Sequence, residues 1–186
     1  MQPQKKIADI AGKMQQRGIL NQQGTTRMIW DTLPVQTGSK YYRFFEGVNT
    51  RTQPQTNLTD NKLEAGESLA CQFVYINILQ FLKTKSEYTI VQPTVEIYLG
   101  SLSMELMNTI VMKPIRILSF ATDFNRMPNA NSGVYKLFTN QVIMPLTPFV
   151  FPLYVPYDLK AIADTDLYIQ LTVEGTGSIL SPRGTL

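Results

Sequence analysis

The chain has 186 residues, 44% of them hydrophobic and 17% charged, with a formal net charge of +3. That length suits one folded domain with a tail and is enough to bury a sizeable core. There is no histidine and only one cysteine. This removes the usual general base at neutral pH, the Ser-His and Cys-His nucleophile pairs, the commonest metal ligand, any internal disulfide and any cysteine-rich zinc site.

No uninterrupted apolar run is long enough for a spanning helix. The basic start Met1-Gln-Pro-Gln-Lys-Lys lacks the apolar segment of a secretory signal, so export is not expected. Residues 1–27 carry Lys5, Lys6, Lys13, Arg17 and Arg27 against Asp9, so the positive balance of the whole chain lies in this stretch. Ile7, Ile10, Ala11 and Met14 fall at i, i+3, i+4 and i+7, one face of a short helix, with Lys6, Lys13 and Arg17 on another face. Gly12 weakens that helix, Gly18 ends it, and Asn21-Gln-Gln-Gly-Thr-Thr reads as a flexible connection. Three readings of this arm stay open: a docked or solvated terminal helix, a contact with nucleic-acid phosphates, and a contact with an anionic membrane surface. Domain limits are accordingly placed at 1–35 for arm and connection and 36–186 for the folded domain. Trp30, alone near the end of the arm, reads as a packing anchor ahead of a ligand platform.

From residue 40 onward the pattern is β. Tyr41-Tyr-Arg-Phe-Phe-Glu is a short aromatic strand, and residues 47–62 are a polar loop. A turn at Leu63-Glu-Ala-Gly-Glu-Ser leads into Leu69–Leu82, the longest strand signal, with Val74, Ile76 and Ile78 on one face and Phe73, Tyr75, Leu79 and Phe81 on the other. Both faces are apolar, so both are expected to be covered, by the opposing sheet, a neighbouring subunit, or both. Cys71 within it reads as a buried small hydrophobe. Residues 88–99 form a further strand interrupted at Pro93, Ser101–Met112 is read as one strand, and Ile115–Phe120 as another. Strands at 134–139 and 149–155 follow, then a turn at 160–164. The last strand is the clearest: Leu167, Ile169, Leu171 and Val173 alternate with Tyr168, Gln170, Thr172 and Glu174, and Gly175-Thr-Gly177 releases the chain into its tail.

About eight strands with loops long enough to cross between sheets predict an all-β fold, an antiparallel β-sandwich of the single jelly-roll type behind a short helical basic arm. No site for chemistry stands out. Gly175-x-Gly177 has no following helix to make a phosphate loop. Asn57-Leu-Thr matches the glycosylation pattern, which means nothing without export. Asp60–Glu64 and Asp164-Thr-Asp166 lack a full calcium loop, and Glu64 with Glu67 reads as turn chemistry. No catalytic residue, cofactor or metal is assigned, and no enzymatic activity is expected.

Together the residues resemble a small viral capsid protein. Phe44-Phe-Glu-Gly, Thr56-Asn-Leu-Thr-Asp-Asn-Lys-Leu-Glu-Ala-Gly-Glu-Ser-Leu with the apolar strand after it, and the ending Leu167-Tyr-Ile-Gln-Leu-Thr-Val-Glu-Gly resemble capsid-domain strands of tailless icosahedral bacteriophages. The resemblance implies a structural virion protein, a penton or shell subunit made in the host cytoplasm. It implies lateral contacts in a homo-oligomer such as a pentamer, and contacts with other capsid proteins. The arm would face the particle interior, where Lys5, Lys6, Lys13, Arg17 and Arg27 would meet the genome or an internal membrane. The alternative is a carbohydrate- or receptor-binding β-sandwich module.

Overall fold

The computed structural model describes residues 22–51, 55–82, 87–91, 95–120, 134–159 and 165–180. The arm residues 1–21, the turn at 160–164 and the tail at 181–186 lie outside these. Nine strands are described: β1 (Gln22–Pro34), β2 (Tyr41–Phe44), β3 (Ser68–Leu82), β4 (Glu87–Val91), β5 (Ser101–Leu106), β6 (Thr109–Arg116), β7 (Val134–Ile143), β8 (Phe149–Tyr154) and β9 (Thr165–Leu180).

They form two antiparallel sheets. In the five-stranded sheet the order is β1-β9-β3, and both β7 and β4 lie along the far edge of β3: β7 against its first half, β4 against Ile78–Leu82. The four-stranded sheet runs β2-β8-β5-β6. The chain changes sheet from β1 to β2, from β2 to β3, from β4 to β5, and at each step from β6 onward. With β4 set aside as an extra hairpin strand, this is the paired Greek-key order of a jelly roll.

The core lies between the sheets. Val74, Ile76 and Ile78 of β3 and Ile169, Leu171 and Val173 of β9 face Phe44, Leu102, Met104, Phe149, Phe151 and Leu153 of the four-stranded sheet, all buried. Phe45 joins them, with its ring 5.1 Å from Phe149 and 5.8 Å from Phe151. Phe73, Tyr75, Leu79 and Phe81 point the other way, onto the outer face, and are half-buried.

Five local readings change. Residues 22–34, taken from sequence as arm and connection, are a full strand. Its inward face, Ile29, Asp31 and Leu33, carries a carboxylate at its centre and so breaks the apolar alternation that marks a strand. Ser101–Met112 is two strands, because Met107 (φ 48°) and Asn108 (φ 61°) make a two-residue hairpin turn with both residues left-handed. β6 then runs through Pro114 to Arg116 at a sheet edge, and Ile117–Phe120 is a 3₁₀ turn instead of a strand. The alternation of Val95, Ile97 and Leu99 is one helical turn, Val95–Tyr98, with Ile97 buried.

Finally, β9 continues through Gly175 and Gly177 to Leu180. Gly175 faces Cys71 at a bulge between Cys71 and Phe73 on β3. A Cβ on Gly175 would lie 2.0 Å from the Ala70 carbonyl oxygen, so this glycine is there for space. The bulge inserts Gln72 and turns Cys71 into the core beside Val74, where plain alternation would have put it outside.

Candidate assembly surface

Sheet edges are the first places where subunits can join, and two of them, β1 and β6, are blunted. The outer edge of β1 is capped by the loop that follows β2. The Asn57 side chain accepts the Trp30 backbone N–H (2.9 Å) and donates to the Met28 carbonyl (2.8 Å). The Thr56 hydroxyl donates to the Trp30 carbonyl (3.0 Å). Two side chains thus stand in for a neighbouring strand. This employs the Asn57 amide of the glycosylation-like triplet inside the fold. At the opposite end of the four-stranded sheet, β6 exposes Lys113, Pro114 and Arg116, and a strand with a proline and two cations is a poor template for pairing.

The capping loop is itself anchored by a buried ion pair. Asp31 is fully buried on the inward face of β1. Its Oδ2 accepts the Phe45 N–H (2.6 Å) and lies 2.7 Å from Arg51 Nη2, which also donates to the Glu46 carbonyl (2.6 Å). Burial pushes the Asp31 carboxyl above its ordinary value, against the lowering effects of Phe45 and Arg51. Phe45 has a φ of 66°, a conformation strained for a bulky residue, and the Asp31 hydrogen bond together with its aromatic neighbours holds it there.

Of the arm cations, Lys5, Lys6, Lys13 and Arg17 lie outside the described residues. Arg27 sits on β1, where its Nη1 is 2.7 Å from Glu67 Oε2 and both side chains are largely buried. Its charge is matched within the domain, and the same Glu67 oxygen accepts the Glu64 backbone N–H (3.3 Å), as expected of turn chemistry. Asp60 is occupied by the Asn61 N–H (2.7 Å) and Lys62 (3.3 Å). Among the described residues, no group of three His, Cys, Asp or Glu side chains is arranged to hold a metal ion. The Cys71 thiol is buried, and burial pushes it up to about 12. Trp30 lies half-exposed on the outer face of β1.

The outer face of the five-stranded sheet combines apolar bulk with a buttressed polar pair. Tyr75 donates to Glu174 Oε2 across strands (2.6 Å), and its phenol is pushed up to about 12 by burial and by the carboxylate it faces. Phe73 lies beside it, ring centres 6.5 Å apart.

Exposed apolar side chains gather elsewhere, at the two ends of the four-stranded sheet. Leu99 and Leu118 flank the Ser101–Arg116 end of the β5–β6 hairpin, where the Ile117 N–H meets the Gly100 carbonyl (2.9 Å), and Tyr157 follows β8 at that same end. At the other end Met107 and Ile110 sit on the hairpin turn, joined to the β7–β8 loop by the Met107 N–H to Pro148 carbonyl bond (3.0 Å). Met144 and Leu146 project from that loop, whose Leu146 N–H bonds the Leu63 carbonyl (2.9 Å). These loops come from residues far apart in sequence. Sequence reading missed the clustering because nothing local marks which loops share an end.

Comparison with known proteins returns structures only. No family model and no curated protein matches the chain. Among solved structures, it is similar to a chain from the acid-stable capsid of Helicobacter pylori bacteriophage KHP30, at 8% identity and a TM-score of 0.38, covering 86% of this chain and 98% of that one. A chain of the cyanophage Pam1 capsid is similar at 11% identity and a TM-score of 0.34, covering 81% and 85%. Dimeric latent PorU from Porphyromonas gingivalis matches at 7% identity and a TM-score of 0.24, with 84% of this chain against 13% of that one.

Proposed function

We propose that this protein is a structural subunit of a virion shell, without enzymatic activity, that joins its neighbours laterally through the loops at both ends of the four-stranded sheet. The observation that carries this reading is the pair of apolar ends. Leu99, Leu118 and Tyr157 at one end, and Met107, Ile110, Met144 and Leu146 at the other, are exposed large hydrophobic residues on a domain whose β1 and β6 edges are blunted against strand pairing. Two different patches at opposite ends make a heterologous contact, which closes into rings or shells when the rotation permits. A pentameric vertex is the ring that fits a single barrel at an icosahedral corner. The N-terminal segment, with Lys5, Lys6, Lys13 and Arg17, faces the particle interior and meets the anionic genome or an internal membrane.

Light scattering coupled to size exclusion tests the lateral contact. The full chain is expected to form a discrete ring or larger particle at high concentration. Met107→Lys combined with Leu146→Lys is expected to leave a folded monomer. A full chain that stays monomeric at high concentration and enters no particle counts against the reading. For the N-terminal segment, binding to DNA and to anionic vesicles measured against salt distinguishes the two interior partners.

A further inference from the structure

We propose that the β2 edge of the four-stranded sheet, beside the end of β1, carries a saccharide-binding site centred on Tyr41. The Tyr41–Tyr154 pair lies at the Ser101 end of the sheet, so the site borders the apolar end at Leu99 and Tyr157 but is built from other residues. Tyr41 of β2 is 70% exposed, the largest exposure among the described hydrophobic side chains. It is paired across strands with Tyr154 of β8, which is 37% exposed, with ring centres 5.0 Å apart and planes tilted by 40°. Tyr154 thus braces one side of the Tyr41 ring and leaves the rest bare.

Beside the ring lies an open cleft of about 280 Å³, lined by Leu33, Pro34, Gln36, Ser39, Arg43 and Glu46. Arg43 is held in place by two carboxylates, Glu46 Oε2 at 2.8 Å and Glu105 Oε2 at 3.1 Å, and is still 42% exposed. Glu46 is 52% exposed. The Ser39 hydroxyl donates to the Tyr41 carbonyl (3.2 Å) and the Tyr42 hydroxyl to the Ser39 carbonyl (3.2 Å), which ties the turn at the cleft's rim to the strand bearing the ring.

This chemistry suits a sugar ring. A pyranose has one face of C–H bonds that lies on an aromatic ring, and hydroxyls around its edge that both donate and accept. The site offers a bare ring, a guanidinium fork fixed in advance, a carboxylate and a primary amide. Fixing Arg43 beforehand lowers the ordering cost of binding. A proline-rich peptide, the other common ligand of exposed tyrosines, needs slots between aromatic rings. Here the two rings touch each other and leave no slot.

The test uses the full chain and three soluble probes, maltotriose, chitotriose and sialyllactose, followed by saturation-transfer NMR and titration calorimetry. At least one is expected to bind, with saturation passing from the protein to the ring protons. Tyr41→Ala is expected to weaken it about tenfold or more, a loss of about 1.4 kcal/mol, while Tyr41→Phe keeps most of the affinity and Trp30→Ala keeps all of it. Because Tyr41 is mostly exposed, its variants stay folded, which near-ultraviolet circular dichroism checks. The proposal is overturned if none of the probes binds at millimolar concentration. It also fails if Tyr41→Ala binds as well as the parent, or if a proline-rich peptide displaces the sugar by occupying the same residues.

Discussion

Asp31 and Arg51 show how one buried pair governs a surface loop. The carboxylate is fully buried, and burial raises its pKa more than Phe45 and Arg51 lower it. With the folded value above the ordinary 3.8, the stability linked to this group is fully present below that value and is lost as pH rises through the folded value. Arg51 opposes that loss, because its guanidinium favours the ionised carboxylate. Replacing Arg51 with Met breaks the 2.7 Å buried pair and is expected to cost about 3–5 kcal/mol at pH 7. Measured by urea unfolding, that cost should shrink at acid pH, where Asp31 is neutral. A cost that does not change with pH would show that Arg51 acts through packing alone.

The same linkage predicts alkaline sensitivity. Cys71 and Tyr75 are both held near 12 in the fold, against ordinary values of 9.0 and 10.0. Both raise stability while protonated, so stability should fall progressively as pH climbs from about 9 toward 12. Cys71→Ser and Tyr75→Phe should each flatten that fall in a pH series of thermal melts. Gly175 is a steric counterpart to these cases. Gly175→Ala places a methyl group against the Ala70 carbonyl, and chemical denaturation is expected to show a loss of at least about 1–3 kcal/mol. A neutral result would mean that the bulge at Cys71 relaxes freely.

Among the elements, β1 was the hardest to see and β9 the easiest. β9 repeats an apolar residue every second position, a signal that needs no partner. β1 has Asp31 where its inward face should be apolar and a polar start, Gln-Gln-Gly-Thr-Thr, whose strand character comes from pairing with Leu180 to Thr176. The β5–β6 hairpin hid for a related reason. Its left-handed turn is usually written Asn-Gly, and here Met107 stands first with Asn108 second, so only Asn108 hinted at it.

The cap on β1 gives an element-scale prediction. Asn57→Ala leaves the Trp30 N–H and Met28 carbonyl without their side-chain partner. It should lower stability by about 1–3 kcal/mol and promote edge-to-edge association. Calorimetry and thioflavin binding check the two effects. Unchanged association would show that Thr56 is a sufficient cap.

For the whole molecule, residues 22–34 belong to the five-stranded sheet as β1. Residues 22–27 pair with β9, and Arg27 binds Glu67, so removing residues 1–27 takes half a strand from the five-stranded sheet. Removal of 1–21 is expected to leave the far-ultraviolet circular dichroism of the β domain intact and to reduce binding to DNA or anionic vesicles. Removal of 1–27 is expected to lower the melting temperature as well. Equal melting temperatures for the two truncations would mean that the first half of β1 contributes no stability.

The long stretch at 69–82 has one of its two apolar faces covered within the domain. Val74, Ile76 and Ile78 meet the opposing sheet, and Phe73, Tyr75, Leu79 and Phe81 form an outer face buttressed by Glu174. Local chemistry alone determined the all-β class and the core-facing residues of β3 and β9, because side-chain alternation is a property of the strand itself. Tertiary structure decided how the strands divide between two sheets and why Cys71 turns inward at a bulge. It also decided which carboxylate lies buried beside Arg51 and which exposed residues meet at the ends and beside Tyr41. Those outcomes depend on contacts between residues far apart in sequence, as in the Tyr75–Glu174 bond and the Gln22–Leu180 pairing, and periodicity within one strand carries no record of its partner.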